Sequence, residues 1–224
     1  MTHHLKCIAL AAAALLATGA AQAQSAGSIL VRVGATQITP HVKSGDLTAP
    51  SLPGTQADIK SASQLSGGVT YMVTDNIAVD VPLALPFTHD IVGAGAISGV
   101  GKIGEVRALP ITVLGQYRFL EAKSAFRPFL EAGLTYAKFY KEKSEASLTA
   151  MTGGSPASPT TLKVDSKLAA TIGIGGSFMV NERCFIEGAF TKTFLKTTTT
   201  LSTGQTLDAK LDPTSVSLAV GYRF

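Results

Sequence analysis

The last ten residues of the chain constrain its fold more than any other stretch. Between Ser215 and Phe224, apolar and aromatic side chains alternate with small or polar ones. A period of two is typical of a β-strand with one apolar face. The apolar face continues to Phe224 with no later segment to cover it, so we expect lipid to cover it. Arg223 and the small residues then face a lumen, and Tyr222 and Phe224 form the signal of the closing strand of a transmembrane β-barrel.

The amino-terminal segment has the features of a secretory signal peptide. Lys6 precedes a short, alanine-rich apolar run, and a small-x-small cleavage motif ends at Ala23. The run is too short for a good membrane-spanning helix, which needs about 20 apolar residues. The sequence therefore predicts a signal peptide at residues 1–23 and an outer-membrane β-barrel domain at residues 24–224.

Composition excludes several classes of protein. The mature part has no continuous apolar run of about 18 residues, which excludes a helical membrane protein. The net charge of +4 is small and scattered along the chain, so we expect no nucleic-acid partner. Cys7 leaves with the signal peptide, so only Cys184 remains and no internal disulfide can form. No metal-ligand cluster is present, and we expect no cofactor.

Seven further segments alternate in the same way as the last one, and each is long enough to cross a bilayer at a tilt. The eight predicted strands are Ile29–Ile38, Leu65–Thr74, Ile77–Phe87, Ala108–Phe119, Phe126–Tyr140, Lys167–Val180, Cys184–Leu195 and Ser215–Phe224. Aromatic side chains near both strand ends, with Phe87 and Phe190 among those towards the outside, are placed at the two membrane interfaces.

The connections alternate strictly between short and long. The short ones are Asp75–Asn76, Leu120–Ala125 and Asn181–Arg183, and the long ones are residues 39–64, 88–107, 141–166 and 196–210. Outer-membrane barrels have short periplasmic turns and long extracellular loops. The sequence therefore predicts an all-β fold, an eight-stranded antiparallel transmembrane β-barrel with long extracellular loops and short periplasmic turns. A soluble eight-stranded barrel with its apolar face inward is the structural alternative.

The long loops are predicted to be solvated. Residues 141–166 are rich in serine, threonine, glycine and proline, and Thr197–Thr200 is a run of four threonines. The loop at residues 39–64 carries the apolar Leu47 and Leu52, and it is long enough to fold over the barrel mouth. External loops of this kind are also where a phage or a toxin would bind.

Three motifs in order resemble the OmpW family. They are YMVTDNIAV at residues 71–79 with PFTH at 86–89, FRPFLEAGLTY at 126–136, and LDP at 211–213 with GYRF at 221–224. The resemblance implies an eight-stranded barrel in the outer membrane of a Gram-negative cell, which lets small hydrophobic molecules cross. It also implies outer-membrane lipids, lipopolysaccharide and the barrel-assembly machinery as partners. This chain has no tryptophan, so any gate that the family builds on tryptophan must be rebuilt from other residues or absent.

The inward positions divide the predicted lumen into two parts. Near the periplasmic end lie three basic and three acidic residues, which we expect to close the lumen as an ion-pair floor because buried charges must be paired. They are Arg32, Asp80, Arg118, Glu131, Glu187 and Arg223. Above them the inward residues are small or mildly apolar. We assign the permeant path to Thr70, Ala84, Thr135 and Phe139, together with Leu47 and Leu52 of the first long loop.

Prolines in the upper walls suggest where the wall opens. Pro40 and Pro86 cannot donate to a strand ladder, so we predict a lateral opening near them. The sequence thus favours a passive channel with a narrow apolar upper lumen and a lateral exit into the membrane. Two alternatives stay open: a barrel that the six charges merely fill and stabilise, and a structural or interaction barrel that acts as a surface receptor without transport.

Enzymatic sites are disfavoured. The G-x-G-x-x-G match at residues 99–104 is followed by an alternating strand rather than the helix that a dinucleotide site needs. His41 and His89 lie at the predicted outer rim, and Ser44 and Asp46 are near His41 in sequence. A hydrolase would also need an acid that orients the histidine and an oxyanion site. We therefore predict that the protein is not an enzyme.

Overall fold

The chain forms a closed antiparallel barrel with additional strands on its extracellular side, as a computed structural model of residues 24–224 shows. The predicted signal peptide lies outside these described residues. The strands are β1 (Ile29–Thr39), β2 (Lys43–Ser44), β3 (Thr55–Ile59), β4 (Ala62–Met72), β5 (Ile77–Ala84), β6 (Phe87–Gly95), β7 (Lys102–Arg118), β8 (Phe126–Ser144), β9 (Leu162–Val164), β10 (Lys167–Met179), β11 (Cys184–Phe194), β12 (Lys196–Leu201), β13 (Thr206–Lys210) and β14 (Thr214–Arg223). A short helix, α1 (Ala146–Met151), lies between β8 and β9. Between residues 24 and 224, no helix is long and apolar enough to cross a membrane.

Eight of these strands close the ring. The order around it is β1, β14, β11, β10, β8, β7, β5 and β4, and β4 pairs again with β1. All neighbouring pairs are antiparallel, as expected for strands joined by short turns. The prediction of an all-β, eight-stranded antiparallel barrel is confirmed.

The outer face of the ring is apolar, and the inner face is mixed. Val33, Leu65 and Leu218 each expose more than 60% of their surface outward. Arg118 points inward and is fully buried. A continuous apolar outer band is what a spanning barrel presents to hydrocarbon, and it excludes the soluble alternative with its apolar face inside.

The wall continues above the membrane on one side. β7 and β8 are longer than predicted, and β6 pairs with the first residues of β7. The outward-facing, exposed Lys138 pairs with Leu109 and marks the upper limit of the hydrocarbon contact. β6 and its ladder partners above Leu109 therefore stand outside the bilayer.

The long connections contain more regular structure than predicted, and the prediction that Thr197–Thr200 is a solvated loop is wrong. β2, β13, β12 and β9 form a second, four-stranded sheet, and the threonine run Thr197–Thr200 belongs to β12. Threonine is β-branched and favours strands, so a run of it does not require disorder. Scattered leucines of the loops, among them Leu148, Leu162 and Leu207, pack with the upper barrel wall into one buried cluster.

The predicted strand Ile77–Phe87 is interrupted. β5 ends at Ala84, β6 begins at Phe87, and Pro86 lies in between. Phe87 was predicted to face outward at the membrane interface, but it points inward and is 1% exposed. A local irregularity in a strand reverses the alternation of the side chains that follow it, because the side-chain period is two.

Candidate functional site

A charged network lies at the periplasmic end of the lumen. The Arg32 guanidinium donates two hydrogen bonds of 2.7 Å to the two carboxylate oxygens of Asp80. Its Nε lies 3.2 Å from Oε1 of Glu187. Thr70 donates to Asp80 at 2.5 Å and accepts from Arg32 at 2.9 Å. Bidentate pairs of this kind are the strong form of the interaction.

Arg118 extends the network across the lumen. One terminal nitrogen donates to Glu187 at 2.9 Å, and the other donates to Ser177 at 3.1 Å and to Gln24 at 3.2 Å. The guanidinium also donates to the side-chain oxygen of Gln116 from two nitrogens. Every N–H of this buried arginine therefore has a partner, as the burial of a charge requires.

Two of the six predicted floor charges are not held by ion pairs. Glu131 accepts a 2.8 Å hydrogen bond from Gln116 on its Oε2. Arg223 packs at the end of β14, where it pairs in register with Leu30, and one of its terminal nitrogens is buried without a hydrogen-bond partner among the described residues. Ion pairs thus join four of the six predicted charges, and Gln116 links Glu131 to them by hydrogen bonds. The glutamine and threonine members of the network are not revealed by a count of charges.

Arg127 was not among the predicted floor residues, yet it lies at the lower end of the floor. Arg127 is fully buried and donates to backbone carbonyls, at 2.8 Å to Gln24 and at 2.5 Å to Asp75. On the other half of the floor lies a small apolar cluster of inward side chains near the strand ends. It consists of Leu30, Met72, Ala78 and Phe185, with Met179 packed against it. Arg127 alternates in step with the inward-facing residues of β8, and this position in the sequence pattern could have identified it.

A cavity of about 170 Å³ lies above this floor. Arg32, Asp80, Glu131 and Glu187 line its lower end, and its walls are mainly small or apolar. Four threonines of neighbouring strands form a belt along one wall. The belt is Thr112, Thr135, Thr171 and Thr193, with Oγ–Oγ distances of 2.9, 2.7 and 2.9 Å between successive members. Because these hydroxyls bond to one another, each has a hydrogen-bond partner within the wall of the cavity.

A second cavity of about 240 Å³ lies higher, among the extracellular strands. Its lining is almost entirely apolar and comes largely from the upper cluster. Four residues line both cavities and separate them: Ile59, Val106, Phe139 and Leu211. The two cavities are therefore stacked on the two sides of an apolar constriction.

The wall of the lower cavity is interrupted between β5 and β7. Pairing of β5 with β7 stops at Asp80 with Leu114. The next pair along β7 is made with β6, where Phe87 pairs with Ala108. Pro82 and Pro110 line the cavity at this seam and lack the N–H that a ladder needs. Leu83, whose side chain faces outward and is 55% exposed, is also among the residues that line the cavity. We call this interruption the β5–β7 seam.

The predicted path residues fall in different places. Ala84, Thr135 and Phe139 line the lower cavity, and Phe139 also lines the upper one. Thr70 was predicted in the upper lumen, but its hydroxyl belongs to the charged floor because it bonds Asp80. Leu47, which is buried, and Leu52, which is 72% exposed, line the upper cavity.

The two predicted prolines of the lateral opening also differ. Pro86 lies between β5 and β6, at the upper end of the β5–β7 seam. Pro40 does not mark an opening, because β1 stays paired with β14 up to Thr39 and with β4 up to Ile38.

The residues of the hydrolase alternative do not come together. His41 is exposed and its ring bonds the hydroxyl of Thr214 at 3.0 Å. Ser44 donates to the carbonyl of its neighbour Gly45. Hydrogen bonds from the Gln56 side chain and from a backbone N–H hold the pKa of the Asp46 carboxyl below its usual value, so this acid is engaged elsewhere.

Comparison with known proteins gives one consistent answer. The sequence model of the OmpW family matches residues 25–224. Outer membrane protein W of Vibrio cholerae is 32% identical over 221 residues, covering 96% of this chain and 97% of that protein. Outer membrane protein W of Escherichia coli K12 is 30% identical over 220 residues, covering 97% of this chain and 98% of that protein.

A solved structure shares the architecture. The crystal structure of the outer membrane protein OprG from Pseudomonas aeruginosa superposes with a TM-score of 0.80 at 26% identity, covering 91% of this chain and 98% of that one. The barrel, its apolar outer band and these relatives agree on the location. The chain is a bacterial outer-membrane β-barrel and belongs to the OmpW family.

Proposed function

We propose that this barrel is a passive channel for small hydrophobic molecules, which enter from outside and leave sideways into the outer membrane. The observation that carries the proposal is the β5–β7 seam. There the ladder is unpaired, and Leu83 both lines the apolar cavity inside the ring and is exposed on the lipid face. A wall that only had to be stable would keep this ladder paired along its whole length.

The order of features along the lumen supports a path. A permeant would first meet the upper apolar cavity, then the constriction around Phe139, and then the lower cavity. Both cavities are smaller than the roughly 300–1,000 Å³ of sites for drug-sized ligands, so the permeants are expected to be small. The barrier that such a path bypasses is the lipopolysaccharide leaflet, which we propose surrounds the outer aromatic side chains such as Phe190.

The closed floor supports a lateral exit rather than a periplasmic one. A molecule moving straight down would have to displace Arg118, whose N–H groups all have partners, and then the apolar cluster around Phe185. Leaving a buried charge without its partners costs several kcal/mol. Passage through the β5–β7 seam breaks no strand pair, because none of residues 81–86 pairs with β7.

The open space above the floor argues against the filled-barrel alternative. If the six predicted charges only stabilised a solid core, side chains would fill the lumen, as an eight-stranded barrel allows. Two cavities of about 170 and 240 Å³ remain instead. The surface-receptor alternative predicts that uptake does not depend on the seam, so the same experiment tests it.

A disulfide across the seam tests the proposal. Leu83 and Ile111 would face each other if the ladder continued from Asp80 and Leu114. We would introduce Leu83→Cys with Ile111→Cys in a Cys184→Ser background, in cells whose outer membrane contains the protein. Entry of the hydrophobic dye N-phenyl-1-naphthylamine is followed by its fluorescence. Oxidation should lower dye entry to the rate of cells without the protein, and reduction should restore it.

The matched control places the same crosslink in an intact part of the wall. Val33 and Val220 are paired across β1 and β14 and both face outward. Paired Cα atoms in antiparallel strands lie within the range that a disulfide spans. Oxidised Val33→Cys with Val220→Cys should leave dye entry unchanged. Equal dye entry before and after oxidation of the seam pair, with the crosslink verified by mass, would reject the lateral path.

A further inference from the structure

The lower cavity is lined by more acidic groups than basic ones. Its lining includes the three carboxylates of Asp80, Glu131 and Glu187 but only one guanidinium, that of Arg32. Arg118 adds a second positive charge just below the lining, through its bond to Glu187. Even with that charge, the carboxylates outnumber the guanidiniums.

The pairing shows which carboxylate is left over. Arg32 is engaged with both oxygens of Asp80 and with Glu187, and Arg118 is engaged with Glu187. Glu131 receives only the neutral donor of Gln116, on Oε2. Across residues 24–224, no hydrogen bond or ion pair reaches its Oε1.

The free oxygen of Glu131 is open to the cavity. The residue is 94% buried, since only 6% of its surface is exposed. Among the described residues, Arg223 has the one unpartnered side-chain polar atom that is fully buried. Since the unpartnered Oε1 of Glu131 is not fully buried, it is accessible from the cavity that Glu131 lines. Gly173 lies opposite on β10, and a Cβ there would come within 2.7 Å of this oxygen. The glycine thus leaves the carboxylate room.

We propose that this cavity binds small amphiphiles with a positively charged head, alkylammonium ions, with Glu131 as the counter-ion. The inference rests on the proposed function, because it assigns a class of permeant to the same lumen. A carboxylate in a low-dielectric site is stabilised by an opposite charge and by hydrogen bonds to its free lone pairs. An ammonium group supplies both.

The rest of the cavity suits the remainder of such a molecule. Above Glu131 the lining is small or apolar, with Leu114, Ala137 and Ala189 among its members. An alkyl tail is buried there as the head reaches the floor. An anionic amphiphile would face the excess of carboxylates. A neutral alcohol could donate one hydrogen bond to the free oxygen but would not supply the opposite charge.

The test compares two ligands of matched size. Binding of hexylammonium chloride and of 1-hexanol to the purified barrel in an uncharged detergent is measured by titration calorimetry at pH 7. We expect hexylammonium to bind about tenfold more tightly than hexanol, the factor that one charged hydrogen bond supplies. Glu131→Gln should abolish this preference and leave hexanol binding unchanged.

Two further variants make the result specific. Glu121→Gln removes one negative charge from an exposed periplasmic turn and should keep the preference intact. Glu131→Asp keeps the charge and should retain part of the preference, which covers the case in which Glu131→Gln does not fold. Folding is checked by the shift in electrophoretic mobility on heating.

The outcomes separate this inference from the channel itself. Hexanol that binds as tightly as hexylammonium would overturn the inference and leave the channel standing. A preference for hexylammonium that persists in folded Glu131→Gln would also overturn it. If neither ligand binds, the apolar path fails together with its proposed permeant class.

Discussion

Replacement of Arg118 tests whether the charged network closes the lumen. The guanidinium donates to Gln24, Gln116, Ser177 and Glu187 at 2.9–3.2 Å and lies 4.8 Å from the centre of the Phe129 ring. Arg118→Ala removes all of these contacts at once. It leaves buried polar groups on three strands without their partner.

The expected cost follows from these contacts. Removing one partner of a buried ion pair costs about 3–5 kcal/mol, because the other charge stays buried. Glu187 keeps its 3.2 Å contact with Arg32, which places the loss at the lower end of that range. The stacked ring adds up to about 1 kcal/mol. We therefore expect a loss of about 3–4 kcal/mol in the free energy of unfolding.

Two measurements check this expectation. Urea unfolding in lipid vesicles, followed by far-ultraviolet circular dichroism, gives the change in stability, and potassium release from loaded vesicles reports a leaking floor. Lys123→Ala, at an exposed periplasmic turn, removes the same charge and should change stability by less than about 0.5 kcal/mol with no leak. A loss below about 1 kcal/mol in Arg118→Ala, without potassium release, would refute the reasoning.

Two other predictions concern the constriction and the extracellular wall. Phe139 separates the two cavities, so Phe139→Ala should join them and raise the initial rate of dye entry, whereas the exposed neighbour change Lys138→Ala should not. His89 lies in β6 above the membrane, 5% exposed, and burial lowers the pKa of its imidazole. Below about pH 6.5, His89 binds a proton in the unfolded chain, but its buried imidazole resists protonation in the folded protein. The free energy of unfolding should therefore fall as the pH drops from 6.5 to 5. His89→Gln should remove that part of the pH dependence in unfolding measurements, and an unchanged slope would contradict it.

Much of the barrel could be predicted from the chain because its physical causes are local. Lipid outside and side chains inside impose a period of two on every spanning strand, and the lengths of the connections give the sidedness. The strand Cys184–Leu195 was predicted to within one residue of β11 for this reason. The charges of the floor were visible in the sequence as inward-facing residues near the periplasmic end, because charges in a barrel interior are expected to pair with one another.

The remaining features depend on contacts that no local pattern reveals. Thr197–Thr200 lies in a sheet because β9 and β13 flank it, and both come from other parts of the chain. Phe87 turns inward because of one irregularity after Ala84, which a count of alternating residues passes over. The break between β5 and β7 cannot be predicted without knowing that the upper part of β7 pairs with β6 instead.

The contacts of Gln24 have a consequence for the order of assembly. Its side chain meets Ser177, 153 positions later, and its carbonyl meets Arg127, 103 positions later. Contacts between such distant points form late, because the entropy of closing a long loop must be offset first. We expect the nascent barrel to remain unsealed at its lower end until its first and later strands have met. Docking of Gln24 then coincides with completion of the ring, and a chain with an incomplete wall stays open at its periplasmic end.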